Sequence, residues 1–365
     1  MKIKDIISAI EAFAPTALQE SWDNAGLLVG NAHHDVQSAL ITLDVTEAVI
    51  DEAMANGDGL IIAHHPVVFN GLKRFNGNNE VEKVVIKAIQ NNIAIYAAHT
   101  NIDVVQHGVS WRMAEKIGLK EMKTLVPQKG LLKKLVTFIP VDDAPRVRQA
   151  LFEAGAGNIG HYDSCSYNLQ GIGSFRGGED SNPYKGEKGE LHFEPETRLE
   201  TIFPAYLQSV VISALVDAHP YEEVAYDIYP LENTHQHIGL GVVGVLPQAE
   251  DSLNFLRRVK EVFKCEAIRH TPIHKTTIHK VALVGGAGSA FLKQAMAAGA
   301  DLFITGDFKY HQFFEAEKQI IIADIGHYES EQYTKELFYE IVTNKFSKFA
   351  LRLSNVNTNP VNYLF

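Results

Sequence analysis

The chain has 365 residues, of which 46% are hydrophobic and 21% charged, and a formal net charge of -11. This is globular composition, too long for one ordinary core, and it predicts two or three domains. The acidic balance argues against general binding to nucleic-acid phosphates, which needs clustered cations, yet it permits a small anionic ligand held by a local metal.

The N-terminal stretch MKIKDIISAIEAFAP reads as an amphipathic helix, with Ile3, Ile6, Ile7 and Ile10 at helical spacing and Glu11 directly after. A secretory segment would be uninterrupted and end in small residues, so no signal peptide is expected. No apolar run approaches the roughly 20 residues of a membrane span, and a cytoplasmic location is expected. Next, SALITLDV reads as a strand, followed by a helix carrying Val45, Ala48, Val49 and Ala53. GLIIAHH is a second strand, and the helix after it places Val81, Val84, Val85, Ala88 and Ile89 on one face. IAIYAAH is a third strand, and Val109, Met113 and Ile117 mark another helix. Continuous apolar strands alternating with helices predict βαβ units and a largely parallel sheet.

The texture changes near Pro127. KKLVTFIPVDDAPRVRQALFEAG reads as a strand, an Asp-Ala-Pro helix start and a short helix ending at Gly155. Gly171 to Glu190, rich in glycine, reads as a long loop; RLETIFP and EVAYDIYPL read as strands flanking the helix LQSVVISALVDAHP. The region as a whole is read as β-α-β-loop-β-α-β, the order of a ferredoxin-like unit. Beyond about residue 234 the α/β texture returns, with KVALVGGAGS, LFITGDF and QIIIADIGHYES each a buried strand meeting a turn. The predicted organisation is therefore an α/β core in two parts, residues 1–125 and 234–365, interrupted by an inserted α+β module at 126–233.

Ligands of open parallel sheets bind at the carboxyl ends of strands. Those ends carry His64 and His65, His99 with Asp103, Asp307, and His327 with Glu331. Neighbouring side chains on a strand point to opposite faces, so His64 and His65 share a site only if the strand has already ended, which Pro66 favours. His327 and Glu331, four apart at the start of a helix continuing through Leu337, Phe338 and Ile341, lie one turn apart on one side. Three histidines and two carboxylates, His64, His65, Asp103, His327 and Glu331, are enough for two divalent ions with positions left for water. Imidazole and carboxylate without thiolate suit zinc first, and also manganese, iron or cobalt. Cys165 and Cys265, far apart and outside any CxxC, suggest neither a disulfide framework nor a thiolate zinc site. His99 is read as holding a water or a ligand from behind. Asp307 is read as a helix cap, His311 as surface, His219 as a turn residue and Trp22 as packing. The glycine turn Gly285–Ser289 has the outline of a phosphate cradle but lacks a P-loop Lys and a full GxGxxG, so phosphate contact there is left open. No G-x-S-x-G elbow supports a serine hydrolase.

The motifs SWDNAGLLVG, LIIAHHPVVF, YAAHTNID, VALVGGAGS, FITGDFKYH and DIGHYESE, in this order, resemble the dinuclear-metal GTP cyclohydrolase 1 type 2 homologues, the Nif-three-like family. GIGSFRGGEDSNPYKG and AHPYEEVAYDIYPL are similar to the PII/CutA-like module inserted in its longer bacterial members. The resemblance implies metal ligation by the same five residues, a homohexameric toroid capped by the inserted modules, and hydrolytic opening of the purine ring of GTP. A non-catalytic hexameric scaffold, regulatory or metal-sensing, is the alternative.

Overall fold

Ser38–Thr42, Leu60–Ala63 and Ala94–Ala97 are buried at every position, as parallel strands covered on both faces must be. In the computed structural model, which describes residues 1–364, they form the centre of a five-stranded sheet. Its order is Gly26–Val29, Ala94–Ala97, Leu60–Ala63, Ser38–Thr42, Ala350–Leu353. The pairings are parallel except for the antiparallel edge strand Gly26–Val29. The helix Glu47–Asn56 starts on Thr46, whose hydroxyl accepts from the Val49 amide, and stops at Gly57 in the left-handed region. Glu80–Gln90 starts likewise on Asn79 and buries Val84, Val85 and Ala88. Ile89, at the edge of that stripe, is exposed.

A second sheet runs Arg269–His270, Ile321–Asp324, Leu302–Gly306, Thr277–Ala287, His235–Asp251, Lys120–Gln128. Thr277–Ala287, Leu302–Gly306 and Ile321–Asp324 pair in parallel, and the strands beside them are antiparallel. The single largely parallel sheet predicted above is thus replaced by two sheets, each parallel inside and antiparallel toward an edge. The two sequence segments also exchange elements. Helix Val109–Lys116 and strand Lys120–Gln128 precede the middle region, yet Trp111, Met113 and Ile117 share a core with Val281, Leu283, Ile304 and Ile321. The C-terminal strand Ala350–Leu353 in turn completes the first sheet. Open sheet edges must be paired or covered, and the segments leaving each sheet supply strands to the other. His327–Glu331 and Thr334–Lys345 are two helices rather than the continuous one predicted; Ile341 is only half-buried.

These elements, residues through Pro127 and from His237, form one compact unit, and Gln128–Gln236 form another. The second unit has antiparallel strands in the order Tyr167–Arg176, Leu191–Pro204, Leu132–Pro140, Tyr226–Pro230. Its helices Ala144–Glu153 and Gln208–Ala218 pack Val147, Leu151, Val211 and Leu215 with Leu135, Ile139, Leu199 and Phe203. The predicted loop from Gly171 is strand as far as Arg176, and its partner begins at Leu191, not Arg198. Gly171 and Gly173, two of the glycines that suggested a loop, are in the ladder; the Glu196 carboxylate fills the space a Gly173 side chain would need. His219 closes the second helix, donating to the Phe138 carbonyl (3.0 Å) and accepting from the Tyr221 amide (3.1 Å). Among the described residues, no helix is long and apolar enough to cross a membrane.

Lys120–Gln128 and His235–Asp251 are sheet neighbours, so the two ends of the larger unit meet as a hairpin does. Replacing 129–234 with a short Asn-Gly turn should leave a soluble unit with a cooperative thermal transition. Aggregation at every turn length tried would show that the middle region is integral to the core.

Candidate metal centre

The strand Leu60–Ala63 stops one residue before the histidine pair. The amides of His64 and His65 both donate to the Leu43 carbonyl, at 3.1 and 3.0 Å, so the chain has turned out of the ladder. Their rings are therefore free of strand alternation and lie 4.8 Å apart, tilted by 46°. His99 follows Ala94–Ala97, and Asp103 ends the short helix Thr100–Asp103. His327 and Glu331 open and close a five-residue helix beyond Ile321–Asp324.

These residues meet around one carboxylate oxygen. Glu331 Oε2 lies 3.0 Å from His65 Nε2, 3.1 Å from His327 Nε2 and 3.7 Å from His64 Nε2. Asp103 Oδ1 is 3.7 Å from His64 Nε2, and the Nε2 atoms of His65 and His327 face each other at 3.4 Å. Two groups, His64–His65–His99 and His65–His327–Glu331, each bring one donor atom per residue within 4.8 Å and could hold a metal ion. His99, expected behind the ligands, stands among the donors of the first group. Asp103 falls outside both groups, with His64 Nε2 beside it at 3.7 Å.

The donors fit a cation. His64 Nε2 and Asp103 Oδ1 are buried and make no hydrogen bond, and the equally buried Glu331 Oε2 has only imidazole nitrogens around it, an arrangement that is costly unless something positive sits among them. The opposite ring nitrogens are all occupied. His65 Nδ1 pairs with Asp44 (2.7 Å), His327 Nδ1 with Asp307 (2.7 Å), His99 Nδ1 with Asp23 (2.8 Å) and His64 Nδ1 with the Ala98 carbonyl (2.9 Å). An oxygen acceptor requires the proton on Nδ1, which leaves Nε2 as the lone-pair nitrogen once the ring is neutral.

Charge follows the same plan. Burial works against a protonated His65, but hydrogen bonds to Asp44 and Glu331 prevail and hold its pKa up at about 9. Burial opposes the shift at His327 too, yet Asp307 and Glu331 hold it at about 11. Burial, reinforced by the Glu331 charge, pushes Asp103 up to about 7. Glu331 is held well below the carboxylate range because the surrounding imidazoles outweigh its own burial. Asp307 is lowered by its hydrogen bond to His327.

Asp307 is therefore no helix cap. Its backbone is left-handed (φ 61°), a region Asp tolerates better than most residues, and its carboxylate faces His327. His311 lies exposed against Tyr310. In the glycine turn, the amides of the three glycines are already bonded and are not free for a phosphate. Gly285, Gly286 and Gly288 donate to Ser110, Ser330 and Thr305 hydroxyls at 3.2, 2.9 and 2.9 Å. Its role is steric: Gly286 has φ 65°, and a Cβ there would collide with Glu331 Oε1.

The description Duf34/NIF3 (NGG1p interacting factor 3) matches residues 1–360. The chain belongs to the Duf34/NIF3 family. It is 38% identical to the GTP cyclohydrolase 1 type 2 homolog of Bacillus subtilis (strain 168), over 99% of this chain and 98% of that one. The homolog of Halalkalibacterium halodurans is 37% identical over 98% of each. Among solved structures, the Bacillus cereus protein related to NIF3 superposes with a TM-score of 0.85 at 39% identity, covering 100% of this chain and 99% of that one.

Two site residues of this NIF3 chain escaped the sequence reading, Asp44 and Asp23, and so did the orienting role of Asp307. Asp44 and Asp307 each lie just past a buried strand, in LITLD and FITGD, the same position that drew attention to the histidines.

Asp307→Asn keeps the shape and removes the charge behind His327. Metal affinity, read by chelator competition, should fall roughly tenfold; unchanged affinity would show that Asp307 does not orient that ring. At pH 7 the metal-free protein carries protons on His65 and His327 and partly on Asp103, so a divalent cation must displace them. Calorimetry of zinc binding in buffers of different ionisation enthalpy should report release of about two protons per chain, with affinity falling as pH drops. No proton release would mean that these groups do not bind the ion.

Proposed function

We propose that this NIF3 chain is a metal-dependent hydrolase with a dinuclear centre held by His64, His65, Asp103, His327 and Glu331. The observation that carries the reading is the trio of buried donors, His64 Nε2, Asp103 Oδ1 and Glu331 Oε2, turned toward one another and the neighbouring imidazoles with no hydrogen-bond partner outside the cluster. Charge supports two ions rather than one. Five carboxylates, Asp23, Asp44, Asp103, Asp307 and Glu331, surround four imidazoles; two divalent ions would offset all but one of those negative charges when the rings are neutral. Glu331, whose Oε2 faces His64 and His65 as well as His327, would help to hold both ions. The donor set suits zinc, with manganese, iron or cobalt as substitutes.

When bound, the ions supply Lewis acidity and lower the pKa of water at the site. The protein contributes orientation and a base. His99, fixed through Nδ1 by Asp23, stands at the rim and takes the proton of the attacking water. The name of the curated relatives points to GTP as the first substrate: water adds at C8 of the purine and a C8–N bond breaks, opening the imidazole ring.

The proposal extends to the rest of the chain. The β-α-β-β-α-β order of Gln128–Gln236 supports an inserted ferredoxin-like module of the PII/CutA type. Exposed Tyr167, Ile172 and Phe193 on its outer hairpin support self-association, which we read as a homohexameric toroid. Two free cysteines agree with a cytoplasmic setting.

Elemental analysis after supplying zinc or manganese should find two ions per chain. Glu331→Gln should deplete both and His327→Ala mainly one. Asp103→Asn should cost on the order of a hundredfold in turnover. A single ion per chain would refute the dinuclear centre. A fully metallated preparation inert toward GTP, phosphoesters and cyclic amides would replace the hydrolase with a regulatory or metal-sensing scaffold.

A further inference from the structure

The segment Ser21–Gly30 contributes more than Asp23. Trp22, read from the sequence as packing, is 57% exposed, and Phe69 beside it is 46% exposed. Their ring centroids are 5.8 Å apart at 40°, and both stand near-perpendicular to His99, at 6.1 and 6.4 Å. His99 is in turn 5.4 Å from each of His64 and His65. The aromatic pair therefore borders the candidate metal centre on its His99 side.

Neither ring owes its place to burial; the residues next to each hold it there. Asp23 accepts from His99 Nδ1, the Thr100 amide and the Thr100 hydroxyl, at 2.8, 3.0 and 2.5 Å. Asn24 Nδ2 donates to the Val68 carbonyl at 2.5 Å, tying the residue before Phe69 to the same segment. Two large apolar faces are thus fixed in position while about half of each stays outside, which forgoes the stabilisation their burial would bring.

We propose that Trp22 and Phe69 are the platform on which the substrate's planar heteroaromatic ring lies. A ring stacked parallel to Trp22 stands at about the same 75° to His99 as Trp22 itself, which keeps it beside the imidazole and the centre behind it without stacking on that imidazole. Stacking gives a planar ring an advantage that a sugar or an aliphatic chain lacks. The platform rests on the hydrolase reading for its substrate and adds to it two specificity-determining residues.

Trp22 and Trp111 are the two tryptophans of the chain, and Trp111 is buried, so Trp22 emission can be isolated in metal-loaded full-length Trp111→Phe protein. Should that variant fold poorly, the difference between native protein and Trp22→Phe gives the same signal. The probes are GTP, ATP and nicotinamide mononucleotide, with inorganic tripolyphosphate as the ringless anion. At least GTP should quench Trp22 saturably, and tripolyphosphate should not. Trp22→Ala and Phe69→Leu should each weaken GTP binding roughly tenfold or more, leaving metal content and tripolyphosphate binding unchanged. The platform is overturned if no ring-bearing probe quenches Trp22, or if both substitutions leave binding intact. It is also overturned if Trp22 is shielded from acrylamide in ligand-free protein, which would make the pair an interface between copies. Saturable quenching without turnover would keep the platform and remove the hydrolase; turnover indifferent to both substitutions would do the reverse.

Discussion

One buried oxygen, Glu331 Oε2, sets the terms for the rest of the site. A carboxylate taken out of water is tolerated only with opposite charge or donors around it, and here three imidazole nitrogens supply the surroundings. Placing it there constrains distant parts of the chain. Gly286 must lack a side chain so that the other Glu331 oxygen can fit. Ser330, the residue before Glu331, accepts from the Gly286 amide, locking the helix that carries the carboxylate to the strand end that makes room for it.

The outer carboxylates follow from the same constraint. An imidazole facing Glu331 must not rotate, and Asp44 and Asp307 each fix one such ring through its far nitrogen, as Asp23 does for His99. Thr358 donates to the second oxygen of Asp44, so the C-terminal tail supports the His65 pair as well. In the metal-free chain, protons on His65 and His327 replace the ions. Raised histidine pKa values contribute stability that is full below the ordinary pKa and is lost as pH rises through about 9 and about 11. The depressed Glu331 pKa contributes stability above the ordinary carboxylate range that is lost in acid. The apo site is thus best held between those limits, and a divalent ion extends the alkaline side because it does not titrate away.

What the sequence disclosed about this site and what it hid have separate physical causes. The histidine pair was legible because an apolar run ending in HHP has one economical explanation, a strand that stops before the rings. His327 and Glu331 were legible through helical spacing, although the helix proved to be a single short segment. Asp44 and Asp307 were not, because an aspartate after a strand has many commoner uses, and only a neighbour far along the chain shows which applies. The glycine turn misled in the opposite way. Its glycines looked like amides offered to a phosphate, whereas three hydroxyls already satisfy those amides and Gly286 leaves space for Glu331. The exchange of strands between the sheets was illegible for a general reason: periodicity reports which face of an element is buried and says nothing of which edge it pairs with.

That exchange bears on the site directly. Asp44, His64, His65, His99 and Asp103 follow strands of the first sheet, while Asp307, His327 and Glu331 follow strands of the second. An ion held by His65, His327 and Glu331 would therefore be a cross-link between sheets as well as a reactant. Without exchanged elements, each sheet could shift against the other and open the donor groups. With Lys120–Gln128 committed to one sheet and Ala350–Leu353 to the other, each sequence segment is anchored in both. The donors are then held close before any ion arrives, and the protein meets in advance the cost of gathering so many carboxylates. Binding energy that would otherwise organise the site is left to stabilise the fold, in proportion to the logarithm of ion concentration over its dissociation constant.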